Sequence, residues 1–304
     1  MSVLDRAAHR QAHGETFAVA TVVRTVSVTA AKAGAKALIN PDGSIEEGWI
    51  GGGCARAAVL KAARQCMVDG QSRLVSIAPK DLLADLGVSP GEDRAGVLYA
   101  NNACPSQGTM DIFVEPVLPP PRLLILGASP VAVALAKLAP TMGFDVTVAA
   151  PAAELGRFED CAKVEGFFAP PDLGSDAFVV VSTQGAGDRA ALKTAAAMEA
   201  RYRAFVGSRR KAETLRRELA AEGVPAARLA AIKAPAGLDI HAITTEEIAL
   251  SILAEMVAAR RRAQQAPEAD PSNAEKPVTD LALPVPSSRA LRRQERPGEV
   301  GESS

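Results

Sequence analysis

RLLILGASPVAVALAKL, residues 122–138, begins as an apolar run, turns on a glycine and continues with apolar residues at helical spacing. A short buried strand that enters a helix through a glycine turn is the opening unit of a parallel α/β sheet. The rhythm continues downstream. DVTVAA, AFVVVST and AFVG read as further strands, with helices near 189–200 and in RRKAETLRRELAAEG. This alternation predicts a doubly wound, Rossmann-like sheet. A last helix opens at ITTEEIALSILAEMVAARRR, where Thr244 and Glu247 suit a capping box and Arg260, Arg261 and Arg262 suit the carbonyl end.

Upstream, Pro119, Pro120 and Pro121 cannot donate ladder hydrogen bonds and favour an extended chain, which predicts a linker over 118–121. Before it, TFAVATVVRTV reads as a buried strand, and AKALIN and SIEEGWI flank Pro41, Asp42 and Gly43 as the arms of a hairpin. ARAAVLKAARQCMVDG carries Ala58, Val59, Ala62, Ala63 and Cys66 on one helical face and stops at Gly70. SRLVSIA is another strand, and GTMDIFVEPV alternates Met110, Ile112 and Val114 against Asp111 and Glu115, the pattern of a half-exposed strand. The reading is therefore α/β throughout: a mixed domain over 1–117, the linker, a doubly wound domain over 122–262, and a disordered tail over 263–304, where Pro, Ser, Glu and Arg dominate.

A chain of 304 residues can bury two cores. With 34 basic against 35 acidic residues, net charge supplies no attraction to nucleic acid or an anionic membrane. No apolar run approaches the ~20 residues of a membrane helix, and the N-terminus lacks a signal-peptide core, so a cytoplasmic location is expected. Cys54, Cys66, Cys104 and Cys161 are scattered without a CxxC pair, and His9, His13 and His241 are the sole histidines, so a tetrahedral zinc site has no support here.

Four stretches carry candidate chemistry. Gly51, Gly52 and Gly53 stand before Cys54, where a glycine turn entering a helix presents backbone N–H groups and positive field to an anion. The same field stabilises a thiolate, so Cys54, with Arg56 nearby, can be a nucleophile, a sulfur carrier or a soft-metal ligand; a small buried structural thiol fits the spacing equally well. Cys104, in NNACPSQGTMD, joins Cys54 in one pocket if its loop folds over the glycine turn.

The second stretch holds Gly127 and Ala132 where a dinucleotide fingerprint has its first and third glycines, but Ser129 takes the middle place and Pro130 opens the helix. Ala149, Ala150 and Pro151 stand where an acidic residue would bind ribose, so NAD(P) binding is not expected. In the third, Ser208 caps a helix whose first turn holds Arg209, Arg210 and Lys211, cations that oppose the helix dipole. They call for a phosphate or a partner's carboxylates, or they form a solvated basic face. The fourth is a pair of loops, STQGAGD with Gln184 and Asp188, and APAGLDI with Asp239 beside His241, both at the carboxyl edge of predicted strands. Each aspartate can act as acid, base or acceptor, or simply cap a turn.

The glycine-cysteine turn, the Rossmann-like second domain and the stretches VGSRRK, APAGLDI and TTEEIALSILAEMV together resemble the XdhC/CoxI family of molybdoenzyme accessory proteins, over about Phe17 to Arg262, and within that span WIGGGCARAAVL, CPSQGTMDIFVEPVLPP and VSTQGAGD look most like its CoxF-type branch. The resemblance implies a chaperone rather than a catalyst. Such a protein binds molybdenum cofactor of the molybdopterin type transiently, supports its sulfuration, and delivers it to the large subunit of a xanthine dehydrogenase- or carbon monoxide dehydrogenase-type hydroxylase. A cysteine desulfurase and cofactor-biosynthesis proteins are implied partners, and a homodimer the implied assembly. By similarity the cofactor would meet Cys54 with its metal or sulfur end, and the Gly127 loop or the Ser208, Arg209, Arg210 and Lys211 turn with its phosphate. Arg56, Pro130 and the missing acidic residue depart from the family pattern. An NAD(P)-dependent oxidoreductase and a docking scaffold without cofactor contact are the alternatives.

Overall fold

The computed structural model describes residues 2–26, 29–104, 108–167, 172–185 and 187–264, and among these not the side chains of Cys54, Ala263 and Gln264. The chain divides into two compact units between Leu118 and Pro119.

The first unit is built on a sheet of β1 (Phe17–Val26), β2 (Lys36–Ile39), β3 (Ile45–Gly48), β4 (Arg73–Ala78), β5 (Asp93–Arg94), β6 (Val97–Asn101) and β7 (Thr109–Val117), in the order β3-β2-β1-β7-β4-β6-β5. Neighbours run antiparallel except β4 and β6, which are parallel. Helix α1 (Val3–Ala12) precedes it, closed by a Ser2–Asp5 capping box and anchored through Arg10, which bonds Glu15, Asn40 and Glu46. Helix α2 (Gly53–Asp69) lays Val59, Ala62, Ala63 and Cys66 against Ala20, Val75, Ile112 and Val114 of the sheet. Small residues on that stripe let the helix approach closely, and Gly70 ends it in the left-handed conformation. Helix α3 (Lys80–Asp85) covers the β4–β6 side through Leu83 against Ala78.

The alternation expected of β7 fails at Asp111, which is 1% exposed, whereas Phe113 is 37% exposed. A register shift between Val22 and Arg24 makes Val23 a bulge and sets Arg24 opposite Asp111. The Arg24 Nε then donates to Asp111 Oδ2 at 2.6 Å, an ion pair that offsets part of the cost of burying the carboxylate, while Asp111 Oδ1 and Arg24 Nη2 find no partner among the described residues.

The second unit is a wholly parallel sheet of β8 (Arg122–Leu126), β9 (Asp145–Ala150), β10 (Ala162–Glu165), β11 (Phe178–Val181) and β12 (Tyr202–Phe205), in the order β10-β9-β8-β11-β12. Helices α4 (Pro130–Leu138) and α8 (Thr245–Gln264) cover one face, where Leu135, Ile252 and Met256 meet Leu123, Ile125 and Val180. Helices α5 (Asp188–Ala197), α6 (Arg209–Ala221) and α7 (Ala226–Ala230) cover the other, where Leu192, Leu215 and Leu229 meet Leu124, Val179 and Val181. Successive residues of one strand thus enter two cores, which is why RLLIL and FVVV are apolar without alternation. The strand order reverses between β8 and β11, so the turns after β8, β11 and β12 gather at one edge.

Helix α8 carries the expected capping box, with the Glu247 amide donating to the Thr244 hydroxyl and the Thr244 amide to the Glu247 carboxylate. It runs to Gln264; the expected tail beyond lies outside the described residues. Among the described residues no helix is long and apolar enough to cross a membrane.

Candidate functional site

In the first unit the GGGC turn has a division of roles. Gly51 is buried at φ +117°, a conformation that side-chain-bearing residues rarely adopt. Gly52 is the N-cap of α2 without a side-chain cap, and a Cβ at Gly52 or Gly53 would meet nothing within 4 Å. The first amides of α2 are therefore left unscreened, as an anion site requires. Cys54 is the second residue of this helix, and Arg56 is exposed. Gly52, Gly53 and Ala55 line a cavity of about 280 Å³ together with Thr29, Asn102, Cys104 and Met110.

Cys104 and the glycine turn thus share one cavity. Asn102 fixes the Cys104 segment, its carboxamide donating to the Gly108 carbonyl and accepting from the Cys104 amide, while its own amide donates to Ala78. Asn102, Ala103 and Cys104 also line a wider hollow beside Lys80 and Asp81, so this segment stands between two spaces. Cys66 has a different character: it is buried, and that burial pushes its thiol up from the ordinary range. His9 of α1 and His13, the C-cap residue that follows the helix, have rings stacked at 4.3 Å, and no third metal-ligating group joins them among the described residues.

In the second unit the turn after β8 is closed by its own chain. Gly127 has φ +121°, and a Cβ there would come within 2.3 Å of the Ser182 carbonyl oxygen. The glycine is needed for contact with the β11 turn. Ser129 is N-cap of α4, accepting from the Ala132 amide at 3.2 Å, and its hydroxyl bonds that of Ser182 at 2.6 Å. A hydroxyl so engaged, and only 7% exposed, occupies the place through which a pyrophosphate would approach.

The turn after β11 sets Gln184 in the open at φ +52°, and behind it Asp188 is 6% exposed. Asp188 accepts from Thr183 and from the Gly185 amide, and pairs with Lys211 at 2.5 Å. Burial pushes its carboxyl up, but the bonds from Lys211, Thr183 and Gly185 outweigh burial and hold it below the ordinary range. The anion that the first turn of α6 calls for is, at Lys211, internal. Ser208 caps α6 as expected, donated to by the Lys211 amide at 3.3 Å, and Arg209 and Arg210 are exposed.

Beyond β12 the chain at Lys233 runs parallel to Ala204, and the following APAGLDI loop bounds a groove of about 580 Å³ with Val206, Gly207 and Arg209. Asp239 and His241 stand at its rim, 3.7 Å apart and almost fully exposed. What fixes the loop was absent from the sequence reading. Glu255 of α8, 6% exposed, accepts from Tyr202, Lys233 and the Gly237 amide. Lys233 belongs to no motif and Glu255 reads only as part of the α8 stretch TTEEIALSILAEMV; the packing of α8 against β12 joins them.

The model of the XdhC and CoxI family matches residues 10–78, and that of the XdhC Rossmann domain matches residues 123–256. The chain belongs to the XdhC and CoxI family. The glycine turn of α2 falls in the first match, and the closed Gly127 loop, Asp188, Arg209 and Asp239 fall in the second. Among relatives, the uncharacterized protein YqeB of Escherichia coli K12 is 29% identical over 276 residues, which cover 86% of this chain and 47% of YqeB. The chain therefore spans about half the length of that relative. The crystal structure of a xanthine dehydrogenase from Bacillus halodurans is 19% identical, with 92% of this chain and 98% of that chain covered, at a TM-score of 0.42, too low to bear on function.

Proposed function

We propose that this chain binds molybdenum cofactor as cargo, supports its maturation, including sulfuration, and assists its insertion into a molybdenum hydroxylase of the xanthine dehydrogenase or carbon monoxide dehydrogenase type. The observation that carries the reading is the cavity in which the open glycine start of α2 meets the Cys104 segment. Its chemistry suits both ends of such a cargo: uncapped helix amides favour a phosphate, and cysteine sulfur is a soft ligand that matches a thiolate-bound metal or a transferable sulfur. The volume is near the lower end of small-molecule sites, which suits one end of the cofactor rather than all of it.

Cys54 and Cys104 are the residues proposed to face the metal or sulfur end. The Gly127 loop is a poor candidate for the phosphate, because Ser129 and Ser182 satisfy one another there. Partners in this reading are the hydroxylase large subunit, a cysteine desulfurase and cofactor-biosynthesis proteins, with the chain acting as a homodimer. The test is co-expression with the cofactor pathway, purification, and measurement of molybdenum and acid-extracted pterin per chain. Wild type is expected to retain both, and Cys54→Ser and Cys104→Ser to lose most of both. Unchanged retention in Cys54→Ser removes that residue from the mechanism, and wild type that captures the hydroxylase without pterin makes the chain a docking scaffold.

A further inference from the structure

We propose that the groove beyond β12 is a separate binding site for a small phosphorylated molecule with a ring, of the chemical class of a nucleoside monophosphate. It lies at the carboxyl edge of a parallel sheet, where ligands of such sheets collect, but one strand away from the closed crevice between β8 and β11. Its volume of about 580 Å³ falls within the range of small-molecule sites.

Its charge is arranged by subtraction. Lys233 lines the groove, but Glu255 neutralises it and the Gly237 carbonyl accepts from it at 2.9 Å. Lys211, two residues after Arg209, is neutralised by Asp188. Arg209 lines the groove and pairs with no carboxylate among the described residues, so one guanidinium stands ready for one dianionic group. The walls beside it are apolar: Val206, Leu238, Ile240 and Ile248 line the same space, with Leu238 and Ile240 43% and 47% exposed. A ring laid on them would remove that surface from water. Asp239 at the rim is a carboxylate acceptor, which suits sugar hydroxyls.

The site does not rest on the cofactor reading, and its test is independent of it. The full chain, freed of bound nucleotide, is titrated calorimetrically with adenosine monophosphate and with inorganic phosphate at low salt. Adenosine monophosphate is expected to bind saturably and phosphate more weakly. Arg209→Ala is expected to weaken the nucleotide by roughly tenfold or more without moving the unfolding temperature, because the side chain is exposed. Arg209→Lys should recover part of the loss, and Arg56→Ala and Cys54→Ser should bind as wild type does. Absence of binding, equal binding of phosphate and nucleotide, or wild-type affinity in Arg209→Ala overturns the proposal.

Discussion

Asp188 shows how one residue type in one motif acquires a role only from its surroundings. As a loop carboxylate it could serve an acid, a base or a ligand; buried at 6% exposure, with Thr183, the Gly185 amide and Lys211 all directed at it, it locks the β11 turn to α6. Because its folded carboxyl ionises below the ordinary range, it adds stability that is present above about pH 4 and lost as the pH falls through the folded value. Asp188→Asn should therefore show a flatter fall of Tm than wild type between about pH 5 and pH 3. Parallel curves for the two proteins, followed by circular dichroism, would contradict this. Asp188→Ala should cost about 1–3 kcal/mol in chemical denaturation, because Thr183 and the Gly185 amide lose a buried acceptor. The same contrast separates the glycines: Gly51 and Gly127 were legible as turn residues, but only the folded structure decides that Gly127 admits the Ser182 carbonyl and Gly52 faces open space.

At the scale of elements, the β–turn–α order was legible because apolar runs, capping residues and glycines are local signals. Ser208 before α6, Thr244 with Glu247 on α8, and Pro130 at the start of α4 all occupy the positions expected of them. Asp111 was not legible, since one bulge residue in β1 is invisible in sequence yet turns Arg24 onto the facing strand. Nor was the support of the APAGLDI loop, which α8 supplies from 18 residues beyond Gly237. That support predicts that Glu255→Gln weakens the loop without unfolding the sheet: faster limited proteolysis near 234–242 and a loss of about 1–3 kcal/mol in unfolding free energy. Gly237→Ala should act in the same direction, since it has φ +93° and a Cβ there would sit 2.3 Å from the Ser251 hydroxyl. Cleavage at the wild-type rate in both variants would contradict the role given to Glu255.

At the scale of the molecule, the two units have cores without shared residues, one centred on Ala20, Val75 and Ile112 and the others on the two faces of the β8–β12 sheet. A core truncation such as Val180→Ala, at a fully buried position, should cost about 1–3 kcal/mol and move one calorimetric transition while leaving another in place. A single transition that shifts as a whole would show that the units unfold together. The sequence by itself determined the fold class, the strand–helix order and the glycine and basic turns, because propensity, periodicity and capping act over a few residues. Which of those turns is open was decided only by tertiary structure. Hydroxyls 53 residues apart close the Gly127 loop, a carboxylate from the next strand turn neutralises Lys211, and the Cys104 segment is brought to the start of α2; each depends on a contact between residues remote in the chain, which no local signal encodes.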